Sequence, residues 1–427
     1  MFHRIFVNTA KIFCGSSLNA ILNLAAAALI ARTIGAKDYG VLIFIQAFAL
    51  IIGQLLSFNT WQAVITFGSR SLEANDEAAL GQIIKISVLL DLVGGLTACC
   101  LAMLVADPVI TFLGWPETTG DLLRLYSPAI ILGSSSVAAG CLRLFSRFGL
   151  LAAAGMAAPL IRLAGAILGY SQSFSLHDFT SVHLIAALVG QLILLAVAAG
   201  AIGWKRTTGF MRQSLAGARA RFPGFLHYVT VTNLHATVKI LTREADQMIA
   251  AIFLNPSALA LLKIARQFSQ ILPMIADPLY QTLFTEFSHL HAGNRTREFS
   301  ALIRRSSLAG LGIGLTGMLL FWLFGQSIVL FTFGAEFTAV IPCSMIFMLA
   351  FTISLAGLPL QPVMLARGRP EISFKINLIS TIIYLILLLP LSRHYGISGA
   401  AGAYVIYYLV WTGLMQARVR AADKEHE

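Results

Sequence analysis

The chain has 427 residues, 57% of them hydrophobic and only 11% charged, with a mean hydropathy of +0.80. Average globular chains carry roughly 25% charged residues, so this one lacks the polar surface to cover a water-soluble fold and its apolar excess has to face lipid. The formal charge of +11 raises nucleic acid as a partner, a reading that the placement of the basic residues excludes below.

A bilayer core about 30 Å thick takes roughly 20 helical residues, and twelve stretches supply them. Six lie near 12–33, 39–58, 83–106, 123–141, 149–171 and 181–203. Six more lie near 226–253, 259–282, 306–326, 341–364, 374–392 and 397–416, of which the first two are the least apolar. The expected fold is therefore all-α: a polytopic integral membrane protein of about twelve helices in two six-helix halves around a central cavity. The halves are 1–203 and 226–427, joined by a cytoplasmic linker at 204–225. The first stretch is long and leads directly into a second, unlike a cleaved signal, and is expected to remain.

With both termini on one side, that side collects 21 Lys and Arg and the other only Arg32, Lys37, Arg124 and Arg393. Such an asymmetry makes the first side cytoplasmic. It accounts for the basic charge without a polyanion, so no nucleic acid is expected. Cys14, Cys99, Cys100, Cys141 and Cys343 lack metal-ligand spacing, and the nine histidines form no pair on one helical face. Nor is there a glycine-rich phosphate loop, and no metal or cofactor is expected.

A weak internal repeat is visible. Ile30-Ala-Arg-Thr-Ile-Gly-Ala-Lys-Asp-Tyr-Gly40 joins the first two spans and Ile252-Phe-Leu-Asn-Pro-Ser-Ala-Leu-Ala260 the seventh and eighth. Both are short, small and turn-forming, at equivalent places in the two halves.

Several segments carry a family resemblance that runs over almost the whole chain. Ala31-Arg-Thr-Ile-Gly-Ala-Lys-Asp-Tyr-Gly40 resembles the Ala-Arg-x-Leu-Gly-x-x-x-Tyr-Gly found near the start of bacterial polysaccharide exporters. These belong to the multidrug/oligosaccharidyl-lipid/polysaccharide exporter superfamily. Similar pieces follow in order: Gly140-Cys-Leu-Arg-Leu-Phe-Ser-Arg-Phe148, Ala245-Asp-Gln247, Gly334-Ala-Glu-Phe337 and Tyr395-Gly-Ile-Ser-Gly-Ala-Ala401. One departure is Ala260-Leu-Leu262, where the family carries Gly-x-Tyr. The resemblance implies a flippase in the bacterial inner membrane. It would move an undecaprenyl-pyrophosphate-linked oligosaccharide from the cytoplasmic to the outer leaflet, for O-antigen or exopolysaccharide synthesis, with a polysaccharide polymerase or export machinery as a candidate partner.

The residues can be read independently of that likeness. A charge at the centre of a membrane helix costs at least about 2.5 kcal/mol, so each one present needs a partner or a wet cavity. Span seven carries Lys239, Arg243, Glu244 and Asp246, and span eight Lys263, Arg266 and Asp277, with Gln267, Gln270 and Gln281 along the same stripe. Arg162 sits mid-span in the fifth helix. On one reading Arg162, Lys239, Arg243, Lys263 and Arg266 hold a pyrophosphate, Arg offering bidentate contacts and Lys a compact charge. On the other they pair internally with Asp91, Glu244, Asp246 and Asp277, leaving a net charge of one. Lys263 is near enough to a helix end to snorkel. Asp91 could couple an ion, or pair with Lys85 or Arg143.

Two rival functions differ in what they require. A polysaccharide polymerase or ligase calls for catalytic groups in a sizeable outer loop, and no nucleophile, base and orienting group occur together here. An ion-coupled exporter of drugs or other small cations would place carboxylates in its cavity without surplus Arg and Lys.

Overall fold

The computed structural model describes the backbone of residues 2–133, 136–293 and 295–424. Within these it describes every side chain except those of 2–17, 219, 235, 238–246, 249–250, 275–278, 281, 285, 292, 370 and 422–424. Helix is the only regular secondary structure among the described residues, as an apolar solvent demands: a spanning segment must satisfy its backbone N–H and C=O groups internally. The protein is a polytopic all-α membrane protein.

The first compact unit covers 1–245. It begins with α1 (Phe2–Leu56), whose 55 residues would reach about 80 Å as one straight helix, more than twice a bilayer core. Gly35 divides it, with φ 75° and ψ 172°, a conformation only glycine adopts freely. A short amphipathic α2 (Trp61–Glu73) and the long α3 (Glu77–Leu113) follow. The Asp76 carboxylate caps α3 by accepting from Ala79 N at 2.9 Å, and Gly114 closes it in the left-handed region.

The expected fourth span is broken into α4 (Thr118–Tyr126), α5 (Ala129–Gly133) and α6 (Val137–Leu144). Then come α7 (Phe148–Gly155), α8 (Ala157–Gln172) and α9 (Leu176–Ile202), the last opened by a Ser175–Asp178 capping box.

Residues 204–221, within the first unit, form α10 (Trp204–Arg212) and α11 (Ala218–Arg221), which are strapped to the start of α3. Arg206 pairs with Glu77 and Arg221 with Asp76, while Gln82 and Lys85 donate to the Ser214 and Gln213 carbonyls at 2.7 and 2.8 Å. The Ala79 amide and the Arg221 guanidinium hold the Asp76 carboxyl below the usual carboxylate range. The early part of α12 (Phe225–Phe253) also packs in this unit, with Tyr228 edge-on to Phe67 and hydrogen bonded to Thr66 at 3.0 Å.

The second unit covers 246–427. Asn255 caps α13 (Pro256–Ser269), accepting from Ala258 N at 2.8 Å with Pro256 in the first turn. The connections 30–40 and 252–260 are thus built differently, one by a glycine break inside a helix and the other by a cap. After α13 come α14 (Ile271–Ala292), α15 (Thr296–Thr332), α16 (Val340–Ala356) and α17 (Leu360–Ala366). Spans eight and ten are broken at Gln270 and at Gly357–Pro359, and Pro273 and Pro359 stand at or just after these breaks. Pro273 lies in the first turn of α14 and Pro359 is the N-cap of α17, where a missing N–H costs little.

The last element, α18 (Pro370–Lys424), is interrupted at Gly396, φ 59° and ψ −137°. Here the chain folds back, because a Cβ on Gly399 would overlap the Leu391 carbonyl, eight residues away and about 12 Å along a straight helix. Rings of Tyr384 and Tyr404 meet across the two legs at 5.2 Å.

Seven helical segments among the described residues are long and apolar enough to cross a membrane, or eight if the pair bent by 43° at 118–144 counts as one. The difference from twelve has a physical origin. Helices α1 and α18 each hold two of the expected spans, and α12 and α13–α14 fall short in apolarity because they carry the charged stretches.

Gly310 and Gly314 bring α15 onto α16. A Cβ at Gly310 would overlap the Leu355 carbonyl, and one at Gly314 would lie 2.7 Å from the Thr352 side chain. Gly310→Leu is therefore expected to cost about 3 kcal/mol or more, read as lost folded yield and a lower thermal midpoint after solubilisation. Gly312→Leu, where nothing lies within 4 Å, should stay within about 0.5 kcal/mol.

Candidate functional site

The first unit contains a cavity of about 380 Å³. Its floor and walls are largely small residues of α1, α5, α7 and α9, and its polar lining includes Gln46, Gln54, Asn59, Tyr126, Arg162 and Gln191. Small residues make room, and the amides keep that room wet or ready for a polar ligand. Arg162 lies on α8 and donates from a terminal nitrogen to the Asn23 side-chain oxygen at 3.3 Å. Its Nε is buried without a hydrogen-bond partner among the described residues. Among the described residues no carboxylate lines this cavity, and Arg162 is held there by a neutral amide. Tyr126 and His183 lie within electrostatic reach of Arg162. Both ring nitrogens of the buried His183 lack a partner among the described residues.

Asp91, 1% exposed, stands behind the cavity wall. Its carboxylate accepts from Ser136 N at 2.7 Å, Val137 N at 3.2 Å and the Thr60 hydroxyl at 3.0 Å. It therefore caps α6 from a different helix, satisfying the backbone donors exposed where the fourth span breaks. The expected pairing with Lys85 or Arg143 is not what the structure has. Lys85 bonds the Gln213 carbonyl and Arg143 stacks over Trp61 at 4.6 Å. One turn on, Gly95 makes the approach feasible, since a Cβ there would be 2.5 Å from the Ile131 carbonyl.

In the second unit Arg266 is 4% exposed. It donates to the Tyr404 hydroxyl at 3.1 Å and its guanidinium stacks on the Tyr404 ring at 5.2 Å. An anion would have to displace that packing to reach it. Lys263, three residues before it, is half-buried, so the two cations of the stripe sit in different surroundings. The side chains of Lys239, Arg243, Glu244, Asp246 and Asp277 lie outside the described residues. Of the three expected cations with described side chains, Arg162, Lys263 and Arg266, Arg162 lines the cavity of the first unit.

A second cavity, of about 250 Å³, opens in this unit between α14, α16, α17 and α18. Tyr407, Tyr408 and Trp411 supply its aromatic face and Gln361 and Asn377 its amides. Sequence reasoning passes over this cluster, although Tyr404, Tyr407, Tyr408 and Trp411 follow the i, i+3, i+4, i+7 spacing of one helical face. The four described cysteines form no disulfide. No group of three metal-binding side chains occurs among the described residues.

No protein-family profile matches the sequence. The chain is 25% identical to the inner membrane protein YghQ of Escherichia coli K12 over 336 residues, 79% of this chain and 94% of that one. It is 23% identical to the probable low-salt glycan biosynthesis flippase Agl15 of Haloferax volcanii over 416 residues, covering 95% and 82%. In fold it is similar to an inward-facing multidrug resistance MATE transporter of the MOP superfamily (TM-score 0.73, 16% identity, 95% and 96% covered). It is similar as well to the lipid II flippase MurJ in an inward closed conformation (TM-score 0.72, 16% identity, 96% and 87% covered). The fold is the one these transporters share. Agl15, the MATE transporter and MurJ are transporters or flippases, and none is an enzyme.

Proposed function

We propose that the protein is a flippase of the bacterial inner membrane that carries a polyprenyl-pyrophosphate-linked oligosaccharide from the cytoplasmic to the outer leaflet. It would work by alternating access between two six-helix halves and serve surface polysaccharide synthesis. The observation that carries this reading is Arg162, a cation lining a cavity that no carboxylate among the described residues lines. Such a site suits an anionic substrate. The flippase named among its relatives and the fold shared with MurJ support the same reading, and the inner-membrane relative supports the location.

The energetics are compatible with transport without ATP. Moving one charge through 100 mV is worth about 2.3 kcal/mol, so a diphosphate with roughly two negative charges gains about 4 to 5 kcal/mol on leaving a negative interior. If cavity cations neutralise the substrate, the same gain appears when the empty, positive carrier returns.

The shared fold with a MATE transporter makes a drug exporter the reading to test against. In proteoliposomes, the purified protein is expected to flip a fluorescent polyprenyl-pyrophosphate oligosaccharide and to leave a cationic dye unmoved. Dye transport without lipid flipping would overturn the proposal.

A further inference from the structure

We infer that the aromatic cavity of the second unit is a subsite for one uncharged sugar ring, a role that rests on the flippase reading. Tyr407, Tyr408 and Trp411 project from one face of the second leg of α18, with Tyr407 edge-on to Tyr408 at 4.9 Å. Gly357, at the break between α16 and α17, leaves the space that the Trp411 ring occupies, since a Cβ there would lie 3.0 Å from it. Asn377 on the first leg of α18 accepts from the Tyr407 hydroxyl at 2.8 Å. Its amide NH₂ and both ends of the Gln361 amide have no partner among the described residues.

The chemistry matches a sugar. The weakly positive C–H face of a pyranose lies against electron-rich ring faces, and amides offer a donor and an acceptor to neighbouring hydroxyls. At about 250 Å³ the cavity is smaller than the roughly 300–1,000 Å³ of sites for drug-sized ligands, and fits one ring. An aromatic cluster can also hold a cation, but no carboxylate among the described residues lines this one. The Arg266 guanidinium lies against Tyr404, whose ring touches Tyr407 and Tyr408 at 5.9 and 5.6 Å. A positive charge built into the cluster disfavours a second.

The test measures binding to the full chain in lipid nanodiscs. The probes are farnesyl diphosphate alone, farnesyl diphosphate bearing a single glucose, galactose, N-acetylglucosamine or N-acetylgalactosamine, and tetraphenylphosphonium. With wild type, at least one sugar-bearing probe is expected to bind about 5-fold or more tighter than farnesyl diphosphate. That advantage should vanish in Trp411→Leu and in the milder pair Tyr407→Phe and Asn377→Ala, while binding of farnesyl diphosphate alone persists and shows that the variants are folded. If sugar-bearing and bare probes bind wild type equally, or the variants keep the advantage, the subsite is refuted and the flippase reading stands. If neither lipid probe binds wild type, both fall. Tetraphenylphosphonium binding that is lost in Trp411→Leu would assign the cavity to cations instead.

Discussion

Replacing Arg162 by glutamine is expected to slow flipping of a polyprenyl-pyrophosphate oligosaccharide by about 10- to 100-fold. A hydrogen bond to a charged group contributes about 1.5–3 kcal/mol, and 1.4 kcal/mol is one decade in binding. The variant should fold, because the native guanidinium makes one hydrogen bond to the neutral Asn23 amide and leaves Nε without a partner among the described residues. Glutamine keeps the length and polarity to replace that bond. Lysine at the same position keeps the charge but loses the planar fork that matches a phosphate, and an intermediate rate is expected. The measurement is the initial flipping rate in proteoliposomes at matched protein density, with thermal unfolding as the fold control. A wild-type rate for Arg162→Gln would remove the observation on which the proposed function rests.

The second large effect is on stability. Asp91→Ala is expected to destabilise the first unit by about 3 kcal/mol or more and to depress the yield of folded protein, with a thermal midpoint several degrees lower. The substitution strips the acceptor from two backbone N–H groups at the start of α6 and from the Thr60 hydroxyl, and each buried donor left unsatisfied costs roughly 1–3 kcal/mol. Asp91→Asn keeps one acceptor oxygen and should lose less. If Asp91 coupled an ion, Asp91→Asn would keep its thermal stability and lose any dependence of transport on a proton or sodium gradient. The structural role predicts the reverse: a lower midpoint, with gradient dependence as in wild type.

These two residues show where sequence reading stops. Both were visible as charges inside apolar segments, and hydropathy alone made each a candidate site. Their roles depend on partners far along the chain. Asp91 is defined by Thr60 and by a helix that starts at Val137, and Arg162 by Asn23 and by amides on α1 and α9. Helical spacing placed Lys263 and Arg266 on one stripe, yet nothing in that spacing says which way the stripe turns. In the structure Arg266 is buried under Tyr404, while Lys263 is half-buried. The tyrosines of α18 follow the spacing of one helical face, a pattern that suits a buried core equally well. It becomes a cavity wall because the chain reverses at Gly396 and sets Asn377 beside Tyr407.

Composition alone determined that this is a membrane protein made of helices. Too few charges exist to cover a soluble surface, and lipid offers no hydrogen bonds to a backbone that does not supply its own. The apolar segments likewise marked where the chain can cross, since length against bilayer thickness is a local property. Only the tertiary structure decided where those segments break, which polar groups a break exposes, and which buried cation meets space rather than a ring. Those outcomes are set by close approaches between residues distant in sequence, such as Gly95 against Ile131 and Gly310 against Leu355, and no periodicity within one segment encodes them.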